Sequence, residues 1–259
     1  MRIATWNINS ITARLPRLLD WLASAQPDVL CLQELKVAAD AFPQEPLREL
    51  GYESVVSAGG RWNGVAVLSR VGIADPATAL PDAPEYEGVV EARAAAATCG
   101  GVRVWSVYVP NGREVDHPHY AYKLEWLAAL KETAASSAPS PSPFAILGDY
   151  NIAPTDQDVW DIALFDGATH VTPAERAALA ALEKSGLKEV YPRALKYDVP
   201  FTYWDYRQLG FPKNKGMRID LVYGNAGFDA AVQDAYVDRE ARKGKGASDH
   251  APVVVDVDV

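Results

Sequence analysis

Short runs of apolar and β-branched residues recur along the chain: MRIATWN (1–7), DVLCLQE (28–34), GVAVLSR (64–70), VRVWSVYV (102–109), FAILGDYN (144–151), RIDLVYG (218–224) and APVVVDV (251–257). Runs of this length and composition predict central strands. Between them the period changes. In LPRLLDWLA, Leu15, Leu18, Leu19 and Leu22 fall at i, i+3, i+4 and i+7, which predicts a helix that ends before Pro27. Tyr120, Leu124, Leu127 and Leu130 keep that spacing and predict a second helix from about His119 to Ala135. The third is AERAALAALEKSG, with Thr172 as N-cap, Pro173 at the first helical position and Gly186 past the end. Strands interleaved with helices and long polar loops predict a layered α/β protein. SSAPSPSP (136–143) has linker composition, but neither flank looks complete alone, so it is read as a surface loop feeding the strand FAIL. No internal repeat is present, and a single catalytic domain over residues 1–259 is expected.

Composition narrows the class. The 259 residues, 49% hydrophobic and 23% charged, suit a soluble globular protein, and no apolar run reaches the roughly 18 residues of a membrane span. MRIATWNINS lacks the charged start and long apolar stretch of a secretory signal, so a cytoplasmic location is expected. Cys31 and Cys99 form neither a disulfide framework nor a metal spacing and are read as reduced, buried thiols. The net charge of −9 argues weakly against a protein coated in nucleic acid, since backbone binding runs on Lys and Arg. Two basic stretches nevertheless stand out: RQLGFPKNKGMR (207–218) and REARKGKG (239–246).

A mere core does not require the polar endings of these strands. IATWN delivers Asn7, LCLQE delivers Glu34, WSVYVPN delivers Tyr108 and Asn111, AILGDYN delivers Asp149 and Asn151, and RID delivers Asp220; Asp249 and His250 precede the last strand. Singly, Asp149 or Asp249 could cap a turn, His250 could be a structural histidine and Tyr108 a core aromatic with a wet hydroxyl. If the strand ends converge on one sheet edge, they form an oxygen-rich site suited to a hard divalent cation, Mg²⁺ or Mn²⁺, rather than Zn²⁺. Such an ion acts as a Lewis acid on a phosphoryl oxygen. Period-two alternation sends Asp149 and Asn151 to one side of GDYN and Tyr150 to the other.

WNIN (6–9), LQELK (32–36), GDYNIAPTDQD (148–158), FTYWDYR (201–207), GMRIDLVY (216–223) and SDHAPV (248–253) occur in the order of the motifs of one enzyme family. Together they resemble the exonuclease III family of bacterial abasic-site endonucleases, within the endonuclease/exonuclease/phosphatase superfamily. The resemblance spans essentially the whole chain. It implies a four-layered α/β sandwich, two packed, mainly antiparallel sheets flanked by helices, and a Mg²⁺-dependent phosphodiesterase for which Mn²⁺ substitutes. The implied metal ligands are Glu34, Asn7 and Asp249. Asp149 resembles the residue that orients or deprotonates the attacking water, and Asn151 the carboxamide that holds that water or a phosphate oxygen. His250, paired with Asp220, resembles the imidazole on the scissile phosphate, and Tyr108 the phenol close to it.

Trp204, Met217 and Ile219 match an apolar pocket for a flipped-out abasic sugar. Arg207, Lys213, Lys215, Arg218, Arg242 and Lys243 in the basic stretches, with Arg93, Asn111 and Arg113, match positions that face DNA. The partner implied is double-stranded DNA with abasic sites or 3′-blocked ends, bound by a monomer that does not engage membranes. The implied activity is cleavage 5′ to abasic sites, with 3′–5′ exonuclease action and 3′-end cleaning. Two other readings compete: a superfamily phosphatase or phosphodiesterase acting on a small-molecule or lipid phosphoester, and a catalytically silent DNA-binding relative. The silent relative should have lost one of Glu34, Asp149, Asn151, Asp220, Asp249 or His250, and none is lost.

Overall fold

Alternation along the strands sends their two faces into different cores. The computed structural model describes residues 1–259. Its strands are β1 (Arg2–Asn7), β2 (Val29–Gln33), β3 (Glu53–Ser57), β4 (Val65–Ser69), β5 (Ala74–Ala77), β6 (Ala94–Cys99) and β7 (Val102–Tyr108). They continue with β8 (Phe144–Asp149), β9 (Lys188–Glu189), β10 (Arg193–Ala194), β11 (Asp220–Gly224), β12 (Val232–Val237) and β13 (Val253–Val257). The helices are α1 (Ile11–Ala25), α2 (Gln44–Glu49), α3 (Pro118–Ser137), α4 (Pro173–Lys184) and α5 (Ala226–Ala231).

One sheet has seven strands in the order β10-β12-β13-β1-β2-β4-β3, the other six in the order β5-β6-β7-β8-β11-β9. Parallel pairs are β1 with β2, β7 with β8 and β10 with β12; the remaining pairs are antiparallel. In β6, Ala95, Ala97 and Cys99 enter the core between the sheets, while Ala94 and Ala96 join the core shared with α3 and α4. A third core packs α1 on the outer face of the seven-stranded sheet. The layers therefore run α1, sheet, sheet, α3 with α4: the four-layered α/β sandwich expected. No helix is long and apolar enough to cross a membrane.

Packing shifts what periodicity alone suggested. In α1 the buried residues are Ile11, Leu18, Trp21 and Leu22, with Leu15 and Leu19 only half-buried. Trp21 displaces the leucines because its ring meets Trp6 of β1 at 5.5 Å and its indole N–H donates to Asp238 at 2.8 Å. In α3 the buried face includes Lys123 and Trp126, whereas Leu124 is half-buried. The Ala-rich run of β6 favours helix by propensity but is a strand, since two packed cores leave room there for small side chains only.

Sheet register sets the site. Parallel pairing puts Asn7 beside Gln33, the residue before Glu34, and Tyr108 beside Asp149; antiparallel pairing puts Asp220 opposite Asp149. The ends of β1, β2, β7 and β8 and the start of β11 thus share one edge. Gly148 is required for this alignment: a Cβ there would lie 1.9 Å from the Val107 carbonyl oxygen and force β7 away from β8.

Candidate active site

The floor of a cleft of about 610 Å³ is built from those strand ends. The Asn7 amide donates to Glu34 Oε1 at 3.1 Å and to Asp149 Oδ2 at 2.9 Å. The Tyr108 hydroxyl donates to Glu34 Oε1 at 2.8 Å, and Lys36 Nζ lies 2.6 Å from Glu34 Oε2. His250 Nδ1 meets Asp220 at 2.8 Å, and its Nε2 faces Asp149 at 3.9 Å. The turn Ser248–His250 is pinned to β1, with Ser248 Oγ donating to the Asn7 carbonyl at 2.7 Å and the Trp6 indole donating to the His250 carbonyl at 3.1 Å. Two floor residues hold an uncommon left-handed backbone, Glu34 (φ 53°) and Asn151 (φ 51°), a strain that clusters at functional sites. Past that turn the Asn151 N–H donates to Asp149 Oδ1 at 2.8 Å, while its side-chain oxygen accepts from Asn111 at 3.2 Å and lies 3.2 Å from His170 Nε2.

Burial and neighbouring charge divide the titratable groups into distinct roles. Burial lifts the Asp149 carboxyl, Asp220 and Glu34 add to that lift, His250 opposes it, and the result is about 7. Burial disfavours the His250 imidazolium, but Asp220 in contact and Asp149 and Asp249 nearby outweigh it and push the group up to about 10. Burial likewise opposes the Glu34 charge, yet Lys36, His250 and Asn7 hold it below the usual carboxylate range. Burial and then Glu34 raise Tyr108 far above an ordinary phenol, so it stays a neutral donor. The floor therefore sets an imidazolium that carboxylates favour beside a carboxyl whose charge burial resists.

The floor residues fit a divalent cation. Four carboxylates, Glu34, Asp149, Asp220 and Asp249, face two side-chain cations, Lys36 and His250, and an added cation would offset both the burial and the like-charge repulsion that lift Asp149. Single donor atoms of Asp149, Asp220 and His250 lie within 4.8 Å of one another, a buried group of the kind that holds a metal ion or a shared proton. Glu34, Asp149 and Asp249 line the cleft with carboxylate oxygens, and each carboxylate keeps a lone pair beyond its hydrogen bonds. Asn7 presents its NH₂ to Glu34 and Asp149, and its oxygen accepts from the Asn9 N–H at 3.0 Å. Asp249 accepts from the Asn9 side chain at 2.9 Å.

The wall of the cleft comes from loops. Tyr203 bridges to both Met217 and His250, and its ring lies 4.9 Å from the imidazole. Met217, Ile219, Trp160, Phe165 and His170 join it around the opening. Trp204 does not: it is 1% exposed, stacks edge-on against Phe211 at 5.2 Å and donates to Asn214 at 3.2 Å. The extended FTYW segment alternates, so Tyr203 turned toward the cleft obliges Trp204 to face the core, which corrects its placement in a sugar pocket.

Three of the arginines expected at DNA are internal. Arg218 is 1% exposed and clamped by Asp158 at 2.6 Å and by Glu189; Arg242 donates to the Trp204 carbonyl at 3.1 Å and is buried against Tyr206 and Phe211. Arg93 is buried against the Tyr108 ring with Glu91 at 2.6 Å. Sequence shows the charge but not its partners, and acidic side chains, a main-chain carbonyl and aromatic faces hold these three inside the protein. Arg207 and Lys215 do line the cleft, Arg207 beside Asp205 and Lys215 with its ammonium 4.2 Å from the Trp160 ring. Asn111 is shared with a neighbouring groove that Arg113 also lines, while Lys213 and Lys243 are exposed outside the cleft.

Residues 4–250 match the profile of the Endonuclease/Exonuclease/phosphatase family. The chain belongs to this family. It is 30% identical over 98% of its length to Exodeoxyribonuclease III of Haemophilus influenzae, of which it covers 98%. The structure of the 3′–5′ exonuclease NExo from Neisseria meningitidis superposes with a TM-score of 0.94 at 37% identity, and that of the 3′ phosphatase NExo with a product DNA hairpin with 0.93, each over all of both chains. An AP endonuclease of Archaeoglobus fulgidus superposes with a TM-score of 0.92 at 31% identity over both full chains. The chain is a hydrolytic nuclease of the Endonuclease/Exonuclease/phosphatase family.

Sequence reasoning passed over Asn9, Lys36, His170 and Tyr203 in this family member's cleft. Asn9 and Lys36 were within reach, since each lies two residues beyond a chosen strand end. His170 had no local signal; it enters from the loop before α4 and reaches Asn151 across the fold.

Proposed function

We propose that the protein is a divalent-metal-dependent DNA repair phosphodiesterase that hydrolyses the P–O3′ bond on the 5′ side of abasic sites in duplex DNA and at 3′ ends, with Mg²⁺ as its ordinary ion. The observation that carries this reading is geometric: the Asp149 carboxyl, its pKa raised by burial, faces His250 Nε2 at 3.9 Å, and Asp220 holds the other ring nitrogen at 2.8 Å, at the bottom of an oxygen-lined cleft. A base tuned near the working pH gives efficient proton transfer, and the adjacent cation stabilises charge gathering on phosphoryl oxygens. The bound ion supplies Lewis-acid polarisation of the phosphate and charge neutralisation.

Asp149 takes the proton of the attacking water, its orientation fixed by Asn7 and by the Asn151 N–H. His250 donates from Nε2 to a phosphate oxygen, while Asp220 holds the Nδ1 proton. Asn151 and Asn111 hold the water or a second oxygen, and Tyr108 keeps Glu34 oriented. Abasic cleavage, exonucleolytic release and removal of a 3′-phosphate all break a P–O3′ bond and leave a 3′-hydroxyl, so one centre serves all three. The relatives' descriptions as exodeoxyribonuclease, 3′ phosphatase and AP endonuclease support that range. The wall of Trp160, His170, Tyr203 and Met217 then sets how readily a flipped sugar enters, and with it the balance among substrates.

The test uses 5′-labelled duplexes carrying a tetrahydrofuran abasic analogue, a 3′-phosphate or no lesion, each with Mg²⁺, Mn²⁺ or EDTA. Mg²⁺-dependent incision 5′ to the analogue, or release of the 3′-phosphate, abolished by EDTA, supports the reading. Inert duplexes under every condition would overturn it in favour of a small-molecule phosphoester.

A further inference from the structure

Beneath the Asn111 and Asn151 end of the cleft lies a fully buried ion pair that the reaction scheme does not use. Lys123 of α3 and Glu175 of α4 are both 0% exposed, with Nζ 2.5 Å from Oε1. The same ammonium donates to the Asn151 carbonyl at 2.8 Å, to the Asn111 carbonyl at 3.2 Å and to Thr169 Oγ1 at 3.3 Å. Glu175 in turn accepts from the His170 N–H at 2.9 Å, from Thr169 Oγ1 at 2.7 Å and from the Thr172 N–H at 3.0 Å. One ion pair therefore grips the main chain of three separate loops. On the other side of that main chain their side chains meet: Asn111 donates to Asn151, and His170 Nε2 lies 3.2 Å from Asn151 and 3.3 Å from Asn111.

The loops are not held by regular structure at these points. Asn151 sits at φ 51° and His170 at φ 83°, conformations that non-glycine residues adopt only when surroundings impose them. Gly112 (φ 92°) allows the close approach, since a Cβ there would meet Thr169 Oγ1 at 2.7 Å and Lys123 Cδ at 3.2 Å. Burying an ammonium demands several good acceptors, and here they come from the backbone of the residues whose side chains face the substrate.

We propose that Lys123, anchored by Glu175, is a positioning residue that sets the Asn111–Asn151–His170 cluster against Asp149. The proposal rests on the phosphodiesterase reading for its catalytic consequence and on geometry alone for the clamp.

The full-length Lys123→Met/Glu175→Gln variant removes both charges, so neither is left buried and unpaired. It is compared with wild type, with Asn151→Ala and with the triple variant, by kcat and KM on the metal-loaded duplex reaction and by amide hydrogen exchange. The expected result is a kcat at least about tenfold lower at a KM within about twofold, with the loss shrinking below about twofold in the Asn151→Ala background, as for residues acting through one another. Faster exchange should appear in segments 111–113, 150–153 and 168–171 but not in the strand β11. An unchanged kcat, an equal loss in both backgrounds or unchanged exchange in the three segments overturns the proposal. If wild type cuts no duplex, the functional reading fails, and the exchange data still decide whether the clamp exists.

Discussion

The floor and the wall of the cleft are made by different means. Glu34, Tyr108, Asp149 and Asp220 hang from the ends of paired strands and are held in place by ladder register and mutual hydrogen bonds. Tyr203, Arg207, Lys215, Trp160 and His170 come from loops, where small changes in length or packing re-aim a side chain. The floor groups thus sit on a rigid edge, and the wall groups on segments free to vary. The contrast predicts that floor substitutions strike turnover and wall substitutions strike binding.

The largest break should come from Asp149→Asn, which removes the base at nearly unchanged side-chain volume. Single-turnover cleavage should fall by roughly 10²–10⁴, with DNA retained in a mobility-shift assay; undiminished cleavage would place the base elsewhere. Asp220→Asn should follow, with a loss of about 10²-fold at neutral pH through a neutral His250. Its pH signature has a definite sign. The His250 imidazolium is favoured in the folded protein, about 10 against an ordinary 6.5, so the pair's stabilisation is fully present below pH 6.5 and disappears as pH rises through 10. The Tm difference between wild type and Asp220→Asn should shrink across that window, and ¹⁵N imidazole shifts should show the proton leaving far earlier in the variant.

The adjacent aromatics give a smaller and cleaner comparison. Trp204→Ala should cost about 3–5 kcal/mol of stability, by denaturant melts, and leave KM near wild type. Tyr203→Ala should do the reverse, raising KM with little change in stability; if Trp204→Ala alone raised KM, the assignment of the two faces would be wrong. The smallest effects belong to the charges. Lys215→Ala should reduce the salt dependence of DNA binding by about 0.9 in slope, the value for one lost phosphate contact. Arg218→Ala should leave that slope unchanged and lower Tm, because its guanidinium serves Asp158 and Glu189.

The central strands, the three long helices and the polar strand ends were legible because each is a local pattern: a run of apolar residues, a period, a cap such as Thr172 before Pro173. Motif order then carried the family. Local pattern could not decide which way Tyr203 and Trp204 face, because alternation sets only that they differ and the bridges to Met217 and His250 choose. Nor could it tell the internal Arg93, Arg218 and Arg242 from the cleft-lining Lys215, since charge is written in the sequence but its partners are not. Lys123 shows the same limit from the other direction. The helical period of α3 points to Leu124, yet acceptors from three distant loops bury the lysine beside it. The sequence by itself determined the elements and the chemistry available at their ends; only the tertiary structure decided which side chains share a space, because burial, hydrogen-bond partners and the lifted Asp149 carboxyl are properties of neighbours far apart in the chain.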